Sequence, residues 1–313
     1  MKLADLHCDT PYELYHREMS LDKNLLHISL EKADFLEKYI QIAAVWSDHR
    51  LSDDDAYEDF LRIADDFKSK AGDLMGLSHE KFAFILAVED IRLVGDDICR
   101  IKTLREKGVR FATLTWKDLS CIGGSWNTDT GLTPFGREVL NALFENGIVP
   151  DVSHGSRRLT EEVIDIAKAW GKPVCASHSC SFEICPHRRN LTAHHAKMIA
   201  ESGGLIGVNY CPSHLTDEKA SIEDVINHIS YLVSVCGEDS IALGSDFDGV
   251  SALPEGISDI TSTDRIYRAL LRKFGEKTAD KILFDNIYNF LLNNIPEVKN
   301  ELYQYKRHFR FTC

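Results

Sequence analysis

Residues 82–89 read Phe82-Ala83-Phe84-Ile85-Leu86-Ala87-Val88-Glu89, seven apolar side chains in succession closed by one carboxylate. A strand with one face in water alternates apolar and polar residues, whereas a strand covered on both faces reads as a continuous apolar run. The stretch is too short for an average helix, so it predicts a strand buried on both faces. Seven further short apolar runs flank it along the chain: Lys2–His7, Tyr39–Trp46, Val109–Thr115, Ile148–Ser153, Pro173–Ser177, Leu205–Asn209 and Ile241–Gly244. Stretches with helical spacing or helix-start signals follow them, and that alternation marks parallel βα units. Eight such units predict an α/β protein folded as a (β/α)8 TIM barrel, and 313 residues suit a single domain spanning 1–313.

Between the strands, Asp54–Lys70, Asp90–Lys107, Pro134–Asn146, Thr160–Trp170, Thr192–Glu201 and Ser221–Cys236 read as helices. Thr133 before Pro134 suits an N-cap followed by proline at the first helical position, and Ser221 precedes Glu223 and Asp224 in a first turn. Glycines 108, 147, 171 and 237 follow four of these segments, where left-handed caps are expected. From about residue 264, Asp264 to Ile295 reads as two more helices closing the outer ring.

Composition narrows the function. The 36 basic and 49 acidic side chains leave a formal charge of −13, which repels phosphate backbones and argues against nucleic acid as a partner. No apolar stretch approaches the roughly 20 residues of a membrane span, and the first strand begins almost at Met1, leaving no room for a secretory segment. Nine cysteines, odd in number and without CxxC spacing, read as reduced thiols. Together these features lead to the expectation of a cytoplasmic protein without membrane partners or structural disulfides.

In an α/β barrel the functional site lies at the carboxyl ends of the strands. Here those ends carry His7-Cys8-Asp9, Glu89, His154, His178 and Asp246: three histidines and three carboxylates from five strands. His7 and Asp9, two apart, point to the same side of a strand, where an imidazole nitrogen and a carboxylate oxygen grip one cation. His154 and His178 form a second imidazole pair, although a lone histidine near a strand end is as readily a hydrogen-bonded core residue. Glu89 ends an apolar strand where an uncompensated carboxylate is costly, and its two oxygens suit two metals about 3.5–4 Å apart. Its alternative is an acid at a helix N-terminus, where negative charge is also favoured. Asp246, within Gly244-Ser245-Asp246-Phe247-Asp248-Gly249, serves either as a ligand or as the acid/base that moves a proton. Asp248 reads instead as a turn residue before Gly249.

Taken in order, His7-x-Asp9, Glu89, Asp151-Val152-Ser153-His154, Ser177-His178-Ser179, Arg188-Arg189-Asn190, Val208-Asn209-Tyr210 and the Gly244–Gly249 segment resemble the membrane (renal) dipeptidase family. The likeness runs from residue 7 to about residue 250, and ordered agreement at this many points carries weight that no single motif has. It implies a metal-dependent hydrolase barrel with two Zn2+ per chain. His7 and Asp9 would hold one zinc, His154 and His178 the other, and Glu89 would bridge them. Asp246 would handle the proton, and Arg189 would bind the free carboxylate of a dipeptide, a role that suits a planar guanidinium fork. Tyr210 either adds a hydrogen bond to substrate or packs. Mammalian members carry a histidine after strand four, where this chain has Leu114-Thr115-Trp116-Lys117. The indole of Trp116 is a neutral donor only, so a Trp116 wall changes substrate choice or rate.

The resemblance therefore implies hydrolysis of dipeptides, L-D dipeptides included, by a hydroxide bridging the two metals. Two alternatives stay open. One is another binuclear amidohydrolase reaction, on N-acyl-amino acids, lactones or esters, for which Lys117 would be the candidate carboxylated lysine. The other is a non-catalytic binding protein on the same barrel. The sequence leaves a homo-oligomer open and does not set the substrate's side chains.

Overall fold

A computed structural model describes residues 1–295. Seven parallel strands form one sheet: β1 (Lys2–Cys8), β2 (Lys38–Trp46), β3 (Phe82–Glu89), β4 (Val109–Thr113), β5 (Val149–Asp151), β6 (Ile206–Val208) and β7 (Ile241–Leu243). Their spatial order is β5-β4-β3-β2-β1-β7-β6. The expected strand at Pro173–Ser177 is not a ladder strand, yet its residues close the barrel. Cys175 donates to the Pro150 carbonyl (3.0 Å) and accepts from Val152 (2.8 Å) on one side. Ala176 donates to the Leu205 carbonyl and accepts from Gly207 (both 2.9 Å) on the other. Each flank receives one bridge, too short for a ladder but enough to join the two sheet edges into eight parallel segments.

Side-chain alternation divides the barrel into layers. On β3, Phe84, Leu86 and Val88 face the surrounding helices, while Ala83, Ile85 and Ala87 face the barrel interior. Ala4, Leu6, Ile40, Ile42, Ala44, Phe111, Val149 and Ala242 join that interior set. Phe284, Ile287, Phe290, Leu291 and Ile295 from the C-terminal helices cover it, with the Phe111 and Phe290 rings 6.1 Å apart. One end of the barrel is thus plugged by apolar side chains.

Several start signals act as read. Thr133 Oγ1 accepts from the Gly136 amide at 2.8 Å, and Ser221 and Asp224 form a reciprocal capping box. Glycines 108, 147, 171 and 237 take positive φ of 105°, 65°, 59° and 81°. The expected helix Asp90–Lys107 is instead broken into a 3-10 turn, Ile91–Val94, and a helix, Arg100–Lys107. Asp90 leaves β3 at φ 70° and its carboxylate accepts from the Arg92 amide (3.3 Å), so a tight turn forms where the periodicity suggested a continuous helix. The tail forms Thr263–Phe274, Glu276–Asp280, a π-helical turn Lys281–Asp285 and Asn286–Asn294, more pieces than the two helices expected. Asn286 ties it down by donating to the Ile241 carbonyl at 2.8 Å. Among the described residues no helix is long and apolar enough to cross a membrane.

Candidate metal centre

The interior parity that carries Ala83, Ile85 and Ala87 reaches Glu89 two residues later, so the β3 carboxylate points into the barrel mouth rather than toward the helices. The β1–β2 register shifts between Asp5 and Cys8, and the irregularity turns His7 toward the same mouth. Asp9 follows β1 as the N-cap residue of the helix Thr10–His16. His154 and Asp246 take positive φ, 66° and 60°, where the chain leaves a strand and folds its side chain back over the barrel. Non-glycine residues in that region are uncommon and gather at functional sites.

All six side chains meet. Glu89 Oε1 lies 2.9 Å from His154 Nε2 and 3.3 Å from His178 Nε2, while Oε2 lies 3.7 Å from His7 Nε2. His7 Nε2 is 3.6 Å from Asp9 Oδ2. Ligand atoms of His7, Asp9 and Asp246 all lie within 4.8 Å of one another, as do those of His7, Glu89 and His178. Glu89 therefore stands between an imidazole pair on one oxygen and His7 with Asp9 on the other. Asp246 groups with His7 and Asp9, within reach of either role read for it. Gly249 is packed so tightly beside them that a Cβ would collide with Asp9 Oδ2 and Asp246 Oδ1.

Hydrogen bonding shows what the centre lacks. Ser177 Oγ donates to Asp151 Oδ2 (2.5 Å), so it accepts the Nδ1–H of His178 (2.7 Å) and, at longer range, that of His7 (3.4 Å). His154 Nδ1 donates to the Trp116 carbonyl at 3.1 Å. Neutral imidazoles so arranged present Nε2 lone pairs, and those of His154 and His178 face each other at 2.9 Å. Two lone pairs cannot bond to each other; a cation between them resolves the conflict. His7 Nε2 and Asp9 Oδ1 are likewise buried without a hydrogen-bond partner. The donor set fits divalent metal.

The electrostatics agree. Burial is the largest influence on each group here. It raises the Asp9 carboxyl to about 7, with Glu89 adding to the effect, and lifts Asp246 well above the carboxylate range. Burial, then the charge of Arg189, lowers His154 to about 4; burial, then His7, lowers His178 well below the usual histidine range. Burial also opposes charge on His7 and Glu89, but their mutual attraction outweighs it, raising His7 and lowering Glu89. The mouth thus favours a positive charge among its carboxylates.

A cavity of about 370 Å³ opens over these groups, walled by Tyr12, Trp46, Trp116, Cys211 and His214. Trp116 packs edge-on to Trp46 (5.2 Å) and stacks on His49 (5.1 Å). Arg189 lies outside the cavity lining: it is buried, donating to Ser179 Oγ and the His178 carbonyl (both 3.1 Å), with Nε unpartnered. Tyr210 also lies outside the lining, packed in the core edge-on to Phe247 at 5.6 Å, which is the packing role of the two read for it. Asp248 is held by Thr10 Oγ1 and the His27 amide (both 2.6 Å), as a turn residue would be. Lys117 is exposed and away from the centre.

Sequence reasoning did not identify Ser177 and Asp151 as orienting groups, nor Trp46 and His214 as parts of the site. A signal existed for two of them. Asp151 and Ser177 continue the inward parity of Val149 and Cys175, so polar residues there had to face the metal ligands.

A closed parallel barrel with a buried carboxylate set between imidazoles and an open cavity at the strand ends is the arrangement of metal-dependent hydrolases. The profile of the membrane dipeptidase family, peptidase family M19, matches residues 1–305, and the chain belongs to that family. It is 27% identical over 243 residues to the dipeptidase tcpJ of Claviceps purpurea, covering 75% of this chain and 56% of that protein. It is 30% identical over 208 residues to an uncharacterised dipeptidase of Schizosaccharomyces pombe, covering 63% of this chain and 48% of that one. The chain thus spans about half the length of the curated relatives it matches. A metallo peptidase of Rhodobacter sphaeroides, solved with a phosphinate mimic of L-Ala-D-Ala, shares the fold with a TM-score of 0.82 and 23% identity, covering 94% of this chain and 99% of that one.

Proposed function

We propose that the protein hydrolyses dipeptides, L-D dipeptides included, with two zinc ions held at the barrel mouth. The observation that carries this reading is Glu89 astride two donor sets, one oxygen toward His154 and His178 and the other toward His7. Imidazole and carboxylate donors suit zinc, with His7 and Asp9 for one ion, His154 and His178 for the other. When bound, such a pair supplies Lewis acidity and lowers the pKa of water toward neutrality.

The chain's own residues do the rest. Asp246, grouped with His7 and Asp9 at the mouth, takes a proton from the attacking water and passes it to the departing amine. Asn209 Nδ2, 3.3 Å from Asp246 Oδ2, fixes that carboxyl's orientation. Arg189, from behind the wall, supplies a positive field for the substrate's free carboxylate. Trp46 and Trp116 form an aromatic wall beside His154 and exclude water from the cavity. A cavity of about 370 Å³ suits a ligand the size of a dipeptide.

The test is metal analysis followed by a dipeptide library in L-L and L-D series, run beside esters, lactones and N-acyl-amino acids. Dipeptide hydrolysis that chelation abolishes and zinc restores is the expected result. Faster turnover of an ester or lactone, or no dipeptide turnover after zinc is restored, overturns the reading.

A further inference from the structure

His214 lies on the one-turn helix Pro212–Leu215 that follows β6, and it lines the cavity. Its tautomer follows from its neighbours. The Cys211 amide donates to Asn209 Oδ1 at 2.7 Å, which identifies that atom as the amide oxygen. The Asn209 NH2 group then faces two acceptors, Asp246 Oδ2 and His214 Nδ1, each at 3.3 Å. His214 Nδ1 must accept, so the ring hydrogen sits on Nε2. Among the described residues Nε2 has no partner.

The ring is also kept neutral and in place. Burial, then the charge of Arg189, with His187, His154 and His228 acting in the same direction, lowers its pKa to about 2. Asn190 Nδ2 donates to the His214 carbonyl at 2.8 Å and pins the backbone. His214 therefore presents a fixed, neutral N–H on the wall of a cavity otherwise rich in carboxylates: Asp9, Glu13, Glu89, Asp246 and Asp248. One amide group separates His214 from Asp246, the residue read as the proton carrier. A preorganised donor at that position meets oxygen charge as it develops on the reacting carbonyl.

We propose that His214 is a catalytic residue whose Nε2–H donates to the carbonyl oxygen of the bond being cleaved. The inference rests on the dipeptidase reading and adds a residue to it. No bond to His214 forms or breaks; its hydrogen bond strengthens as the carbonyl carbon becomes tetrahedral.

The experiment compares His214→Phe and His214→Gln with the zinc-loaded wild-type protein on its best dipeptide. The expected result for His214→Phe is a fall in kcat of about a hundredfold with KM little changed, as for loss of an interaction made in the transition state. Zinc content should be unchanged. His214→Gln, which keeps an N–H donor, should recover at least about tenfold of that loss. A rise in KM alone, a loss of zinc, or no recovery with glutamine would mark a binding or structural role and overturn the inference. Nitrogen-15 NMR of metal-free wild-type protein gives a readout that needs no variant to fold: the Nε2–H tautomer is expected from pH 5 to 8, and an Nδ1–H or cationic ring overturns the proposal. Wild-type protein inactive on every dipeptide defeats the underlying reading as well. Active wild type with an indifferent His214→Phe defeats only this inference.

Discussion

The two halves of the barrel interior come from the same strands and the same side-chain parity, yet they solve opposite problems. Toward the plugged end, Ala4, Leu6, Ile40, Ile85, Phe111 and Val149 meet Phe284, Ile287 and Phe290 in an apolar core. Toward the open end, the same inward positions become Glu89, Thr113, Asp151 and Ser177, all buried. Burying apolar area stabilises the fold at roughly 25 cal/mol per Å². Burying carboxylates and imidazoles costs free energy unless they are paired or coordinate a cation. The plugged half is built for stability, the open half holds buried charges that call for a cation, and the strands divide between them within a few residues.

Separate perturbations of the two halves should separate the two properties. Gly249→Ala places a methyl group against Asp9 and Asp246, so we expect loss of one metal and of activity by about a thousandfold, the scale of losing several kcal/mol of metal-derived stabilisation. The chelated variant should be less stable than chelated wild type by no more than roughly 1–3 kcal/mol, the cost of overpacking. Phe290→Ala opens a cavity in the apolar plug and should destabilise folding by about 3–5 kcal/mol in denaturant titration while kcat at 25 °C is retained. A collapse of kcat there would erase the division between the halves. Ser177→Ala removes the acceptor for the His178 and His7 Nδ1 hydrogens and should weaken zinc affinity by about 10–100-fold in competition with a chelator.

The smallest effect concerns pH. In the metal-free protein, Asp9 at about 7 and Asp246 above its usual range bind protons that the unfolded chain has already released. His7, also raised, acts in the same sense. His154 and His178 are lowered and act oppositely, but only below the ordinary histidine pKa of about 6.5. Glu89, lowered, loses its contribution only in acid. Stability of the metal-free protein should therefore fall, by on the order of 1–2 kcal/mol, as pH rises from about 6.5 to 8. Denaturant melts across that range should show the slope, and saturating zinc should reduce it to the part owed to Asp90, whose buried carboxyl is also raised to about 7. A flat metal-free profile would mean that the open half carries no such strain.

The same division explains what was legible in the sequence. Residues 82–89 fixed both a doubly buried strand and the inward parity of Glu89, because strand alternation is rigid. His7, Asp9, His154, His178 and Asp246 were legible because strand ends in a barrel converge on one mouth. Positions that depend on loop paths were not. Asp90 turns through positive φ and breaks an expected helix, Arg189 folds behind the wall, and Tyr210 is drawn into the core against Phe247. Trp46 and His214 join the cavity from elements whose approach no local pattern specifies. The strand at Pro173–Ser177 was legible as a position and not as a ladder, since each of its two central residues bonds to a different neighbour.

The central claim is that Glu89 joins two cation sites across the barrel mouth. Metal analysis of wild type and Glu89→Gln, purified and reloaded with zinc side by side, tests it most directly. The account predicts two zinc ions per chain in wild type, and in Glu89→Gln at most one ion, a folded protein and no measurable dipeptide hydrolysis. Equal zinc content and equal turnover in the two proteins would contradict it.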